Sequence, residues 1–263
     1  MRTFLIGNIH EDMNSQSSYP GLRKESGRNP ATTMRSAGDA RRAPQGRHCA
    51  GDFLDWLQGT LSAFFTGQGA EVPCGDCRAC CRAGYFIPVR HHEWSTLAAI
   101  PRRLLVSPPV SAGEVEYLIA TTRRGACALL DEGACSIYRQ RPQACRDYDC
   151  RVFAAAGIES GQDLVDRQIR RWRFRHDREE SRLAHAAVRA AARFVIEHPD
   201  AFPEGRAPRR PADIALVALK SHHVFLGGGH RDRPREAVAE AVVRACRVFD
   251  ATGNLHPATA EAR

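Results

Sequence analysis

Eight of the ten cysteines in this 263-residue chain fall into two groups of four, Cys74, Cys77, Cys80 and Cys81, then Cys127, Cys135, Cys145 and Cys150. A CxxC turn directs two thiolates to one side of the chain, often with backbone amides pointing at sulfur, so that both can converge on one ion. Cys74, Cys77 and Cys80 form two such turns overlapped. Adjacent side chains diverge, so Cys80 and Cys81 suit two different centres, or one ligand and one buried neighbour. Eight thiols suffice for two all-cysteine sites, and the candidates are two zinc ions or one to two iron-sulfur clusters. A zinc ribbon supplies two separate CxxC knuckles, whereas the second group here is spread as Cys-x7-Cys-x9-Cys-x4-Cys. The overlapped CxxCxxC is closer to ferredoxin-like ligation, which tilts the reading slightly towards an iron-sulfur cluster over zinc.

The surroundings suit either metal. Four thiolates on Zn²⁺ leave a formal charge of about −2, and Arg78, Arg82, Arg139, Arg141, Arg146 and Arg151 lie close in sequence to offset it. Some of these arginines could orient sulfur ligands. Tyr85, Phe86, Tyr138, Tyr148 and Phe153 could exclude water, or simply pack. Cys49 and Cys246 stand apart, and Cys246, on the apolar side of a helix, reads as a small hydrophobe.

The segment "CGDCRACC" followed by "CSIYRQRPQACRDYDC" closely resembles the CxxCxxCC cysteine-cluster proteins, the YkgJ-like group to which zinc or iron chelation is attributed. The resemblance rests on the four-cysteine cluster and on the later run Cys135, Tyr138, Arg141, Pro142, Cys145 and Arg146. It spans roughly residues 70 to 153 and implies metal chelation without implying a reaction. Flagellin lysine methylase carries a similar cluster, which makes a modification enzyme one relative. No glycine-rich nucleotide loop after a clear strand supports S-adenosylmethionine binding in this chain.

The elements that must position these thiols come from composition and periodicity. With 43% hydrophobic residues, the chain can build a sizeable core. Asp52 can cap a helix whose apolar face is Phe53, Leu54, Trp56, Leu57, Leu61, Phe64 and Phe65, ending near Gly67 and Gly69. Short strand-like runs, "YFIPV" and "VEYLIAT", flank "HHEWSTLAAI", which reads as a short helix. Beyond Gly161 the pattern is helical through "DLVDRQIRRWRFRHDREESRLAHAAVRAAARFVIEH", then "ADIALVALKSHHVFL", then "REAVAEAVVRACRVFD", with breaks at Pro199, Pro203 and "GGGHRDRP". The expected fold is a helix-rich α+β domain over residues 51–251, with a small, irregular, cysteine-centred core, short strands and helices packed around it. Residues 1–50, Arg- and Ser-rich without apolar periodicity, read as disordered, with Met34 a candidate start, and 252–263 as a frayed tail.

Several classes of function are disfavoured. No run of apolar residues is long enough to span a bilayer, and the N-terminus does not read as a secretory signal. The expected compartment is the cytoplasm, where thiols stay reduced and dense cysteines signal metal or catalysis rather than disulfides. The net charge of +8 arises almost entirely from arginine, with Lys24 and Lys220 the only lysines, and residues 1–50 hold eight basic against four acidic residues. Residues 163–182 hold seven arginines around Trp172 and Phe174 but also five acidic residues, and Asp163/Arg167 and Asp166/Arg170 have the spacing of a solvated helix face. Nucleic acid is therefore not the expected partner. His91, His92 and Glu93 read as a solvated helix start. His222, His223 and His230 flank a GGG that lacks any nucleotide fingerprint. No catalytic motif is recognisable. The expectation is a metal-binding protein, structural or electron-transferring. The alternatives are a protein- or RNA-modifying enzyme whose cluster supports the fold, or an adaptor that docks a protein partner through residues 161–251.

Overall fold

The computed structural model describes residues 46–108 and 115–255. Of residues 1–50, read as disordered, 1–45 lie outside the described residues, but His48–Ala50 belong to a strand and Ala50 is buried, because a distant partner strand at residues 172–175 pairs with them; of the tail 252–263, residues 256–263 lie outside the described residues. Elements run β1 (His48–Asp52), α1 (Phe53–Thr66), α2 (Ala79–Arg82), β2 (Pro88–Arg90), α3 (Trp94–Ala99), β3 (Leu105–Val106), β4 (Val115–Ile119), β5 (Leu130–Asp131) and β6 (Ala134–Cys135). They continue with α4 (Gln143–Asp147), α5 (Arg151–Ala156), α6 (Asp163–Ile169), β7 (Trp172–Arg175), α7 (Glu179–Glu197), α8 (Pro211–Ser221) and α9 (Arg235–Thr252). With 53% helix and 12% strand, the protein is the helix-rich α+β fold that the periodicity predicts.

Asp52 starts α1 as expected. Its carboxylate accepts the backbone N–H of Leu54 at 3.1 Å and of Asp55 at 3.4 Å, amides that a first helical turn leaves without partners. Phe53, Trp56, Leu57, Leu61 and Phe64 turn inward and Leu54 is half-buried, whereas Phe65, read as part of the same face, is exposed. Gly67 ends the helix at φ 70°, in the left-handed region that a residue with a Cβ enters only at a cost.

The helical layer is built on small residues. Along α7, Ala184, Ala187, Val188, Ala191, Ala192 and Val195 are buried and meet Ala215, Ala218 and Leu219 of α8. Helix α9 closes the layer with Val238, Ala239, Val242 and Phe249. Helix α5 packs on both α7 and α8 through Val152, Phe153, Ala155 and Ala156, which ties the cysteine segment to this layer. All of these belong to one large core, and that core also contains Cys150.

A second, smaller core lies under the sheet β2-β4-β3 and the hairpin β5-β6. It consists of Val89, Ile100, Ile119, Cys127, Leu129 and Ile137, with Cys81 and Cys135 packed against it. The cysteines are thus shared between two cores rather than gathered in one.

The pattern over residues 163–197 predicts unbroken helix, and here the structure differs. Helix α6 stops at Ile169, and β7 runs parallel to β1 with His48 opposite Trp172 and Cys49 opposite Arg173. Residues 172–175, "WRFR", alternate: Trp172 is buried and Phe174 half-buried while Arg173 and Arg175 are exposed, the period of a strand rather than a helix. The i,i+4 pairings give way to other partners: Asp166 accepts from Ser160 N and Oγ at 2.6 and 2.7 Å, and Arg170 reaches Glu159 at 2.5 Å. The "HHVFLGG" stretch forms tight 3₁₀ turns, His222–Gly228, packed on α7.

Asp52 also locks the β7–α7 turn to α1. It accepts from Ser181 Oγ at 2.7 Å, Asp177 N at 2.9 Å and the Arg178 guanidinium at 2.9 Å. Burial alone would raise this carboxyl, but these donors outweigh it and hold Asp52 well below the usual carboxylate range. A carboxyl lowered in the folded state adds stability that is present above its unfolded pKa and fades as pH falls below about 4. Asp52→Asn is therefore expected to lower the melting temperature at neutral pH, with the gap to the parent narrowing on titration towards about pH 2. Thermal denaturation across that range checks this, and a gap independent of pH would contradict it.

Candidate metal centre

The CxxC turn is local chemistry. Cys77 N–H donates to Cys74 O at 2.9 Å, and Gly75 sits at φ 52°. Ala79 N–H then points at Cys77 Sγ at 3.5 Å. The same arrangement, an amide two residues on facing sulfur, recurs in the second group: Leu129 and Leu130 N–H face Cys127, and Ile137 N–H faces Cys135. Amides aimed at sulfur stabilise a thiolate before any ion arrives. Arg78 pins the turn to the hairpin by donating to Gly133 O at 2.7 Å and to Gly75 O and Cys77 O, each at 2.7 Å.

Seven of the eight sulfurs sort into two neighbourhoods that do not follow chain order, and Cys80 reaches both. Cys145 feels the charges of Cys81, Cys127 and Cys135, and Cys127 those of Cys81 and Cys135. Cys127 N–H also donates to Cys81 O at 2.8 Å. Cys150 instead feels Cys74 and Cys77. Cys80, on α2 beside Cys81, is within reach of Cys81, Cys145 and Cys74. Among the described residues no three His, Cys, Asp or Glu side chains stand close enough to hold an ion as they are placed. The sulfurs are gathered but not closed on one another.

Their electrostatics explain why a cation suits them. Burial pushes Cys74 up to about 11 and Cys150 up to about 12, and it raises Cys127, Cys135 and Cys145 as well. Cys80 and Cys81 share a hydrogen bond that raises Cys80 and lowers Cys81, whose thiolate is further favoured by Arg78 and Arg82. Left alone, most of these groups stay neutral thiols. These thiols would be held deprotonated only against a positive charge that burial withholds, such as Zn²⁺ or an iron centre would supply.

Residues that the cysteine spacing does not reveal complete the surroundings. Trp172 donates its indole N–H to Cys150 Sγ at 3.3 Å. Trp56 donates to Asp149 Oδ2 at 3.2 Å, and Asp149 pairs with Arg151 at 2.8 Å with both side chains almost fully buried. Arg151 also reaches Glu71 O at 3.1 Å. Asp149 works against ionisation of Cys74, and Arg151 favours it. Trp172 could have been singled out by its place in the alternating "RWRFR"; nothing in the sequence marks Asp149.

The arginines named for charge compensation divide. Arg78 and Arg151 favour the Cys74 thiolate, Arg78 and Arg82 that of Cys81, and Arg141 that of Cys135 and Cys145. Arg146 is instead a staple, donating to Arg139 O at 2.7 Å and Arg141 O at 3.2 Å. Of the aromatics, Tyr85 and Tyr148 share a hydroxyl contact at 3.1 Å and Phe153 is buried, but Tyr138 is 62% exposed with Arg141 over its ring, and it shields nothing. Glu93 braces the segment by accepting Arg90 N–H at 2.9 Å and Gln143 N–H at 2.7 Å, while His91 and His92 are exposed. His222 turns its Nδ1 to Leu219 O and His230 packs on Phe225. Cys49 is exposed, and Cys246, raised to about 12 by burial, lies on α9.

The segment is thiol-rich, with amides directed at sulfur, a donor set of the kind that can chelate metal. Residues 73–163 match the CxxCxxCC family model, described as a putative zinc- or iron-chelating domain. No curated protein and no solved structure matches the chain. No described helix is long and apolar enough to cross a membrane.

Removing one partner of a buried ion pair leaves the other charge uncompensated, so Asp149→Ala is expected to cost about 3–5 kcal/mol. Chemical denaturation of the parent and of the variant measures this, and a loss under about 1 kcal/mol would contradict a buried, load-carrying pair.

Proposed function

We propose that this protein holds metal at two all-cysteine sites interleaved along the chain, Cys81, Cys127, Cys135 and Cys145 at one, and Cys74, Cys77, Cys80 and Cys150 at the other. The observation that carries this reading is that Cys127 and Cys145 lie near Cys81 and Cys135 while Cys150 lies near Cys74 and Cys77, with Cys80 at the seam, in contact with Cys81 and within reach of both Cys145 and Cys74. It is supported by the separate membership of Cys150 in the large core and of Cys81, Cys127 and Cys135 in or against the small one. Iron-sulfur clusters are favoured over zinc, because the overlapped CxxCxxC resembles ferredoxin ligation and because indole and amide N–H groups at sulfur are the protein's means of tuning a cluster's potential. When bound, such a centre would carry single electrons; zinc in its place would brace the fold. The chain's own residues hold the sulfurs, offset their charge through Arg78, Arg82, Arg141 and Arg151, and exclude water.

The test is metal and acid-labile sulfide content on protein prepared without oxygen or a metal-binding tag, with Cys→Ser variants. Cys145→Ser and Cys77→Ser are each expected to remove roughly half of the bound metal, from different sites, and the two together nearly all of it. Iron with matching sulfide and visible absorption supports clusters, and colourless zinc supports braces. If either single variant removes all of the metal, the two-site reading is wrong; metal unchanged in both variants would overturn metal binding by these cysteines.

A further inference from the structure

The arginine-rich run from Arg167 to Arg182 looks nearly neutral in sequence, but the fold separates its charges. Arg170 is held by Glu159, Arg175 by Asp177, Arg178 by Asp52 and Asp55, and Arg182 by Glu179. Arg173 donates only to the carbonyls of Arg170 and Trp172, at 2.8 and 2.7 Å. Among the described residues neither Arg173 nor Arg189 has a carboxylate partner.

Both arginines line a cleft of about 610 Å³ between β7 and α7, together with Arg182 and no carboxylate. Its size is in the range of small-molecule sites. Its inner wall is apolar, formed by Trp172, Phe174 and Ala154. At one side His176 Nε2 meets His185 Nδ1 at 2.8 Å, and His185 stacks on Phe53 with ring centroids 4.2 Å apart, which fixes the pair in place. Burial, Arg189 and His176 together pull His185 down to about 4. At neutral pH His185 is uncharged.

We propose that this cleft binds a small phosphate monoester, its dianion held between the Arg173 and Arg189 guanidinium groups and its organic part lying against Phe174. Guanidinium forks match phosphate oxygens two at a time. The apolar wall selects an ester over the free ion. The site is separate from the sulfurs, although Trp172 forms part of its wall and touches Cys150 on the other side. Occupancy does not depend on which metal the cysteines hold.

The experiment is calorimetric titration of the full, metal-loaded chain with inorganic phosphate and with phenyl phosphate, the melting temperature of each variant serving as the folding control. Saturable binding of both is expected, tighter for phenyl phosphate. The double variant R173Q/R189Q should weaken both roughly tenfold or more. Arg206→Gln, an exposed arginine paired with Glu204 outside the cleft, should leave both unchanged. Absence of saturable binding, or equal affinity in the double variant, would overturn the proposal. So would a single-stranded RNA oligomer that binds with a salt dependence of more than about three phosphate contacts, because that would make the cleft part of a nucleic-acid track.

Discussion

Residues 73–150 cannot hold themselves together by secondary structure. The longest described helix in that stretch, Trp94–Ala99, has six residues and the longest strand, Val115–Ile119, has five. Helices of one to two turns are unstable alone, and small sheets need a packed face. The small core offers only six buried side chains, one of them a cysteine. What cross-links this stretch over distance is therefore hydrogen bonding: the Arg78 guanidinium to Gly133 O, Gln143 N–H to the Glu93 carboxylate, and Cys127 N–H to Cys81 O. If the cysteines hold metal as proposed, that binding energy is folding energy for the stretch, since an unfolded chain presents no ready site.

The helical layer solves a different problem in a different way. Its alanine-lined faces on α7 and α8 bury area by apolar contact, Lys220 of α8 pairs with Asp250 of α9 at 2.5 Å, and Asp52 sits where three segments meet. That carboxylate caps α1, receives the β7–α7 turn and anchors Ser181 at the start of α7. The two halves are joined by α5, whose first residue Arg151 is paired to Asp149 and whose remaining face lies in the large core. Cys150, Asp149 and Trp172 are therefore where the cysteine segment and the helices share atoms.

What was legible in the sequence is what short range determines. The CxxC turn, the Asp52 cap and the apolar face of α1 each depend on residues a few positions apart, and all three are present. The strand β7 was not legible as one, because its partner β1 is remote and the seven arginines around it imitate a solvated helix; only the alternation of Trp172 and Phe174 gave it away. Helix α6 is present, yet its i,i+4 spacing does not set the ion pairs: Arg170, at its C-terminal end, pairs with Glu159, and Asp166 accepts from Ser160. Tyr138 sits within the motif yet faces solvent, since spacing near a cysteine says nothing about side-chain direction. Asp149 was unreadable for a similar reason: its importance lies in burial beside Arg151 and Trp56, a tertiary fact.

Chain order also misleads about which sulfurs belong together, and α2 shows why. In a helix, consecutive residues point about 100° apart. On this four-residue helix, Ala79 and Ala83 lie against the large core while Cys81 packs on the small one. Cys80 and Cys81 nonetheless touch through their thiols, and the sulfur of Cys80 lies within reach of Cys74 as well as of Cys145. The doublet thus sits at the seam between the two neighbourhoods. The two proposed centres are joined along the chain both at this doublet and through the four residues between Cys145 and Cys150.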